Sequence, residues 1–169
     1  MSVLEVEPEA PQAAWGEDRS GRYWEDFSAW AMEQAVLIRS GQVDKLDLEN
    51  VAEELDSLGR SQHHQLRKRL EVLIAHLLKW SYQPRRRGKS WRVTIEEQRR
   101  RVNDLLEMSP SMKSSLARHY GSAYELARYR ASREALIALE RFPTEPPFTL
   151  EQARDPDFWP EAAAEGSVG

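Results

Sequence analysis

Two stretches of the chain repeat apolar residues at helical spacing, and an arginine-rich turn separates them. The stretch before the turn carries seven of them: Leu66, Leu70, Leu73, Ile74, Leu77, Leu78 and Trp80. The stretch after the turn continues in alternating steps of four and three: Trp91, Ile95, Gln98, Val102 and Leu105. A stripe at this period needs another helix to cover it. The pattern therefore predicts an antiparallel helical hairpin, centred on residues 66–101, around which the rest of the chain folds.

The composition is that of a charge-rich globular chain. Hydrophobic residues make up 40% of the 169 residues, charged residues make up 31%, and the mean hydropathy is -0.70. The best candidate for a membrane span is interrupted by Glu71, His76 and Lys79, so we expect no transmembrane helix. The acidic N-terminal stretch lacks the basic start of a secretory signal, so we expect a cytoplasmic location. The absence of cysteine excludes disulfides and thiolate metal sites.

Charge is distributed unevenly along the chain, although the formal net charge is only -4. Residues 60–101 contain 13 Lys or Arg and 3 Asp or Glu, whereas the remaining residues contain 11 basic and 25 acidic side chains. The positive charge of residues 60–101 is either neutralised by pairing inside the fold or presented to an acidic partner. The sequence leaves both interpretations open.

The first half of the chain predicts two helices. The first spans about residues 23–39 and stops at Gly41, and the second has Asp47 as its N-cap. Because glycine costs roughly 1 kcal/mol relative to alanine inside a helix, we expect a break or kink at residues 59–61. The helix then resumes and ends before Pro84, since proline disfavours helical geometry at the preceding residue.

The second half predicts two further helices and a C-terminal strap. The third helix covers about residues 90–108, and the fourth begins near Pro110 and reaches about residue 141. One face of the fourth helix repeats mostly small residues: Leu116, Tyr120, Ala123, Ala127, Ala131 and Ala135. Thr149 and Gln152 have the spacing of a capping box, so one short helical turn is expected in the strap. Three aromatic side chains are expected to fasten the strap by burial: Phe148, Phe158 and Trp159.

These elements together predict one all-α domain. Its architecture is a bundle of about four main helices with a C-terminal strap that contains one short helical turn. The domain is expected to cover residues 22–160. Residues 1–21 and 161–169 show little periodicity, so we expect them to be flexible tails.

Four separated motifs carry a family resemblance. Residues 23–31 read YWEDFSAWA, residues 47–55 read DLENVAEEL, residues 76–84 read HLLKWSYQP, and residues 90–95 read SWRVTI. In this order they resemble the bacterial domain-of-unknown-function family 29, over about residues 23–160. The sequence departs from the family pattern at Pro147 and Phe148, where Cys-Pro-Trp-like residues are usual. The resemblance implies an all-helical fold and supplies no catalytic residue, because the family has no assigned activity.

Catalytic and metal-binding patterns are weak in this sequence. Glu49 and Glu53 share a helix face and are candidate ligands for a hard cation, but such pairs usually lie solvated on helix surfaces. None of the four histidines has a carboxylate three residues before it, as a di-iron bundle requires. His76 is predicted to be a core histidine bonded to a carbonyl or carboxylate, and His63 and His64 a solvated pair. We expect no metal and no cofactor, and a metal-dependent enzyme is the least favoured interpretation.

The strongest functional signal is the basic turn between the two central helices. Its candidate partner-binding residues are Arg85, Arg86, Arg87, Lys89 and Arg92. Arginine binds carboxylates and phosphates bidentately. The leading hypothesis is therefore a non-catalytic interaction module that docks an acidic protein surface, including that of another copy of the chain. Aromatic residues near the turn make RNA or single-stranded DNA the alternative partner, but a pI of about 5.7 is low for a dedicated nucleic-acid-binding domain.

Overall fold

The computed structural model describes residues 19–163, which contain α-helices, short 3₁₀ segments and no β-strand. The all-α prediction is confirmed. Within the described residues, the helices fall into two compact units, one that ends at residue 57 and one that begins at residue 58. Most of the two predicted tails, at residues 1–18 and 164–169, lies outside the described residues.

The first unit starts with two helices where the sequence predicted one. Helix α1 spans Arg19–Glu25 and helix α2 spans Phe27–Arg39. Asp26 separates them, because its backbone leaves helical geometry and its Oδ1 accepts a hydrogen bond from the Ala29 amide at 3.0 Å. An aspartate at this position satisfies a free amide of the new helix. A residue that periodicity placed inside a helix therefore begins one, and the single-helix prediction is wrong.

Trp30 is the main buried side chain of the first unit. Its ring lies 4.9 Å from the ring of Tyr23, and its Nε1 donates to Asp47 Oδ2 at 3.2 Å. The amide of Asp47 donates to the side-chain oxygen of the buried Gln34 at 2.9 Å. The hydroxyl of Tyr23 donates to Glu54 Oε1 at 2.5 Å. These bonds connect both short helices to residues 47–54.

Gly41 ends α2, as predicted. Its φ of +71° lies in the left-handed region, which glycine adopts without a Cβ penalty. The amide of Gln42 donates to the carbonyl of Leu37 at 3.0 Å, and the amide of Gly41 donates to the carbonyl of Ile38 at 3.1 Å. This pair of bonds defines a Schellman motif, which satisfies the last carbonyls of a helix.

Helix α3 spans Leu48–Tyr82 without interruption. It follows a 3₁₀ segment at Val43–Lys45, and Asp47 is its N-cap as predicted, since Oδ1 accepts from the Asn50 amide at 3.4 Å. The predicted break near Gly59 is wrong, because the helix continues through this residue. The cost of one glycine, roughly 1 kcal/mol, is small beside the packing of the later turns of the helix.

The second unit contains the later part of α3, two further long helices and the strap. As predicted, α3 ends just before the proline of the basic turn, and helix α4 then spans Lys89–Met108. A 3₁₀ segment at Pro110–Ser115 leads into helix α5, Leu116–Ala135. Leu136 ends α5 with a left-handed φ of 56°, so the predicted end lies six residues too far along the chain. A leucine is not a sequence signal for this conformation.

The second unit has a continuous hydrophobic core. Both predicted stripes contribute to it, and the predicted small-residue face of α5 is buried throughout. The fully buried large side chains are Leu66, Leu70, Leu73, Ile74, Leu77, Leu78, Ile95, Val102, Leu106, Tyr124 and Phe142. The central hairpin of the sequence is therefore the centre of this unit.

The strap, residues 142–163, packs against the helices of the second unit. Its short helix α6 spans Leu150–Arg154 and begins with the predicted capping box. The Gln152 amide donates to Thr149 Oγ1 at 3.1 Å, and the Thr149 amide donates to Gln152 Oε1 at 2.8 Å. Phe148 is buried as predicted, whereas the two later aromatic side chains are half-buried against the core.

Side chains of the second unit hold the strap by its backbone carbonyls. The hydroxyl of Tyr120 donates to the carbonyl of Phe148, and the hydroxyl of Tyr124 donates to the carbonyl of Pro143, both at 2.6 Å. Burial raises the pKa of Tyr124 to about 12, so its hydroxyl remains a donor at neutral pH. The two tyrosines thereby satisfy carbonyls in an irregular segment, where no helix or sheet provides backbone partners.

Candidate functional site

The basic turn consists of a 3₁₀ segment at Pro84–Arg86 and the start of α4. Gly88 is the N-cap of α4, and its carbonyl accepts from the Arg92 amide at 3.1 Å. The side chains of Arg85, Arg86 and Lys89 are exposed. The backbone of the turn is fixed by these local bonds, and it holds three cations in solvent.

Arg87 and Arg92 lie against aromatic rings. Arg87 Nε donates to the carbonyl of Trp80 at 2.8 Å, and its guanidinium lies 5.3 Å from the centre of the Trp80 ring. Arg87 also donates to the strap, at the carbonyl of Pro160, over 3.5 Å. The guanidinium of Arg92 lies 4.8 Å from the ring of Trp159. Two of the five predicted site residues therefore also fasten the turn to the core and to the strap.

The aromatic rings near the turn already have packing partners. Trp80 is only 7% exposed, and its ring lies 4.7 Å from that of Trp159. The ring of Tyr82 lies 4.7 Å from that of Phe142, and Lys79 lies 5.1 Å from the centre of the half-buried Trp91 ring. These rings belong to the packed interior rather than to an open platform for nucleic-acid bases.

Within residues 19–163, the side chains of Arg85, Arg86 and Lys89 form no hydrogen bond or ion pair. Several other basic residues of the hairpin differ in this respect. On α4, Arg99 is buried and binds the strap, and Arg101 pairs with Glu97 at 2.7 Å. The three cations of the turn are the part of the hairpin's positive charge that is exposed and grouped on one short segment.

Charged side chains around the buried Lys79 pair with one another. Lys79 is nearly inaccessible and its Nζ donates to Glu134 at 2.6 Å. Arg130 donates to the same carboxylate at 2.9 Å and to Glu71 at 3.0 Å. Lys68 also contacts Glu71, at 3.4 Å, so three cations surround two carboxylates, and the buried Lys79 and Glu71 are both paired, which offsets their desolvation. These ion pairs form a structural network, because the charges in it are paired with one another.

His76 lies beside this network on α3. Its Nδ1 donates to the carbonyl of Val72 at 2.8 Å, so the predicted carbonyl bond is confirmed, although the side chain is half-buried rather than part of the core. Its Nε2 accepts from Lys79 Nζ at 3.4 Å and therefore carries no proton. Burial lowers the pKa of His76, the positive charge of Lys79 lowers it further, and the Val72 carbonyl acts in the opposite direction. The ring is neutral at physiological pH.

A second basic surface was not predicted from the sequence. His63 Nδ1 and His119 Nε2 lie 3.0 Å apart, although 56 residues separate them along the chain. They belong to a cleft of about 250 Å³ between α3 and α5. Its lining, which we call the histidine–arginine cleft, consists of Arg60, His63, His64, Arg67, Arg118 and His119.

The predicted solvated pair of His63 and His64 is wrong for His63. His64 is exposed, whereas His63 is half-buried and bonded to a histidine of α5. The pairing depends on how two helices pack, which the spacing of either helix does not reveal. One signal was nevertheless present, because residues 57–70 and 108–124 contain basic residues and no Asp or Glu.

Residues 22–159 match the model of the family described as domain of unknown function DUF29. The chain belongs to this family. No curated protein and no solved structure matches the chain. The match to DUF29 begins in α1 and ends in the strap, so it contains both the basic turn and the histidine–arginine cleft. The family description assigns no chemistry, so the basic turn and the histidine–arginine cleft are the candidate functional surfaces.

Residues 19–163 contain neither a metal-binding cluster nor a helix that could span a membrane. In this part of the chain, no three His, Asp or Glu side chains converge in a way that could hold a metal ion. Glu49 and Glu53, the candidate cation ligands, both lie exposed on α3. No helix in the same region combines the length and apolar character needed to cross a bilayer.

Proposed function

We propose that the chain is a non-catalytic interaction module that docks an acidic protein surface through Arg85, Arg86 and Lys89. The observation that carries the proposal is the exposure of these three cations on one short turn, without a carboxylate partner in the described residues. Because the backbone of the turn is already fixed, binding has to order only the side chains, at about 0.5–1.5 kcal/mol each. Complementary charge also accelerates association and discriminates between partners.

Arg87 and Arg92 form the base of the proposed surface. Their contacts with Trp80 and Trp159 hold the turn against the strap and keep the neighbouring cations at fixed positions. Their guanidinium groups also add positive potential at the surface, since a cation–π contact leaves the charge in place. All five predicted site residues therefore have a role in the proposal, three as docking groups and two as supports.

Nucleic acid is the weaker alternative for this surface. Arginine and lysine bind phosphates as readily as carboxylates, but single-stranded nucleic acid also requires aromatic faces on which bases stack. The rings of Trp80 and Tyr82 are packed on Trp159 and Phe142. The arrangement therefore supports charge recognition better than base stacking.

A direct binding measurement separates these partners. Fluorescence anisotropy would follow a labelled glutamate-rich peptide and a labelled single-stranded RNA, each at two salt concentrations. The test variant combines Arg85→Gln, Arg86→Gln and Lys89→Gln. The matched control removes the same charge elsewhere, at Arg100, Lys113 and Arg141, which are also exposed and unbonded in the described residues.

We expect the peptide to bind the wild-type chain in a salt-sensitive manner, and the turn variant to bind at least about tenfold more weakly. The control variant should bind like wild type, and all three proteins should share one melting temperature. Equal losses in both variants would indicate non-specific attraction and overturn the proposal. Binding of RNA without binding of peptide would favour a nucleic-acid partner. Sedimentation of the free protein would show whether another copy of the chain is the acidic partner.

A further inference from the structure

The histidine–arginine cleft concentrates basic side chains from two helices. All six lining side chains are histidine or arginine. The stretches that supply them, residues 57–70 of α3 and residues 108–124 around the start of α5, contain no Asp or Glu. In the network around Lys79, by contrast, each cation contacts a carboxylate. Within the described residues, the side chains of Arg67 and Arg118 form no ion pair, so these two cations lack the internal counter-charge that the structural network has.

The hydrogen bonds in the cleft fix where protons lie. Because Arg67 has only donors, its 3.1 Å contact makes His64 Nδ1 an acceptor, and Nε2 of His64 carries the proton. Between His63 and His119 a single proton occupies the 3.0 Å contact, so at least one of these rings is neutral. The cleft thus offers guanidinium groups and imidazole N–H groups as donors, and it can take up a further proton.

We propose that the histidine–arginine cleft binds a phosphate group, either free inorganic phosphate or the phosphate of a small phosphomonoester. Guanidinium groups form bidentate, charge-assisted hydrogen bonds with phosphate oxygens, and imidazole N–H groups add further donors. A volume of about 250 Å³ accommodates a phosphate with a small substituent. This site is separate from the basic turn and goes beyond the proposed docking function.

A bound cation fits this cleft less well. His63 and His119 have a separation that two ligands of one metal ion can have, but imidazole is the sole ligand type in the lining. The guanidinium groups of Arg60, Arg67 and Arg118 line the same space and would repel a divalent ion. An anion uses the same groups favourably.

Binding should become tighter as the pH falls. Burial lowers the pKa of His119, and the facing charges of His63, Arg118 and Arg67 lower it further. Arg60 and His64 also line the cleft from α3, so α3 and α5 both present cations or neutral rings to His119. A bound dianion reverses this repulsion and raises the pKa of the ring. Because binding then takes up a proton, a fall in pH favours the bound state.

Isothermal titration calorimetry of the full chain tests the site with sulfate, inorganic phosphate and glycerol 2-phosphate. Sulfate remains a dianion between about pH 8 and about pH 6, so any pH dependence of its affinity belongs to the protein, whereas phosphate gains a proton in this range. The test variants are Arg118→Gln, which removes an exposed side chain without a hydrogen-bond partner in the described residues, and His119→Gln. Arg100→Gln is the matched control on α4.

We expect saturable binding that strengthens from about pH 8 to about pH 6, with Arg118→Gln weakening it about tenfold. His119→Gln should reduce the pH dependence for sulfate, and Arg100→Gln and the triple variant of the basic turn should bind like wild type. The relative affinities of inorganic phosphate and glycerol 2-phosphate then distinguish a free ion from an ester.

Three results would overturn the assignment. The first is no saturable binding of any of the three anions by a folded wild-type chain. The second is unchanged sulfate affinity in the Arg118→Gln variant. The third is binding of Zn²⁺, or of a single-stranded oligonucleotide, that depends on His119 while the small anions do not bind.

Discussion

Arg99 donates to the backbone carbonyl of Phe158 at 2.5 Å, from a position on α4 where the arginine is only 2% exposed. The same guanidinium donates to the carbonyls of Ala153 at 2.9 Å and Pro156 at 3.2 Å, and it lies 5.2 Å from the ring of Trp159. A buried charge is tolerated when its donors are satisfied. Here one side chain of the bundle binds three carbonyls of the strap.

Replacing Arg99 with methionine should destabilise the protein by about 3 kcal/mol. The change keeps an unbranched side chain but removes the donors of three hydrogen bonds, and bonds from a charged donor are each worth roughly 1.5–3 kcal/mol, though not additively. Urea unfolding would measure the loss. Arg100→Gln, on the adjacent exposed residue, should change stability by less than about 0.5 kcal/mol. Similar stabilities for both variants would show that the strap does not depend on this guanidinium.

Removing the strap should expose the apolar surface that it covers. A chain that ends at Phe142 loses the buried Phe148 and the strap carbonyls that Tyr120 and Tyr124 bind. We expect a loss of more than about 3 kcal/mol, the lower range for removing one buried phenylalanine, together with binding of a hydrophobic dye. Melting curves and dye fluorescence would measure both effects. Deleting residues 164–169 alone is the control, because it leaves every strap contact named here intact.

Leu77 is fully buried at the centre of the stripe that the sequence predicted. Leu77→Ala should therefore cost about 2–5 kcal/mol, through lost burial and the cavity that remains. Leu58, on the same helix and in the same unit, is 65% exposed and provides the control. Leu58→Ala should change the free energy of unfolding by less than about 0.5 kcal/mol. Comparable losses at the two positions would contradict the assignment of the stripe to the core.

The parts of the fold that were predictable depend on local periodicity and terminating residues. The stripe from Leu66 to Trp80, the turn at Pro84 and the capping box at Thr149 all follow from spacing within a few residues of each other. The predicted helix boundaries were wrong where a single residue adopts a conformation that is unusual for its type or position. Asp26 begins a helix instead of continuing one, and Leu136 adopts a left-handed conformation for which leucine gives no signal.

The site was predictable only as a set of candidates. The run of Arg99, Arg100 and Arg101 looks uniform in sequence, yet one of the three is buried, one is exposed and one is paired. Its buried member binds carbonyls that lie more than fifty residues further along the chain. The contact of His63 with His119 spans a similar distance in sequence. Partners so far apart are determined by packing, which periodicity within one helix does not encode.

The lowered pKa of His76 has a consequence for stability against acid. The unfolded chain binds a proton at this ring more readily than the folded chain, so the free energy of unfolding rises with pH wherever only the unfolded ring is protonated. His76 therefore stabilises the fold above its ordinary pKa of 6.5, and this contribution is lost as the pH falls below that value.

His76→Gln should make the stability curve flatter between about pH 7.5 and about pH 5.5. Glutamine removes the titration while its amide can still donate to the carbonyl of Val72. Urea unfolding at several pH values would compare the slopes of the two proteins. Equal slopes would show that the ring is not neutral and buried in the folded state. Carboxylates such as Glu134, whose pKa is also lowered in the fold, remain in both proteins and so cancel in the comparison.

Gly59→Ala tests whether α3 is continuous through the position where the sequence predicted a break. Nothing lies within 4 Å of the position of the added Cβ, and the residue is exposed in the middle of the helix. Alanine in a helix interior is favoured over glycine by about 0.8–1.0 kcal/mol, so the variant should be more stable by up to that amount, with helicity at least as high. Denaturant unfolding and far-UV circular dichroism would measure both.

Gly41→Ala is expected to destabilise the protein, which is the opposite of the effect expected for Gly59→Ala. No atom lies within 4 Å of its added Cβ either, but its φ of +71° is unfavourable for any residue with a Cβ. We expect a loss of about 1–2 kcal/mol, because the Schellman motif at the end of α2 requires this conformation. If Gly59 were a helix break like Gly41, both alanine variants would be destabilised. Stabilisation at Gly59 together with destabilisation at Gly41 distinguishes a glycine inside a helix from a glycine that ends one.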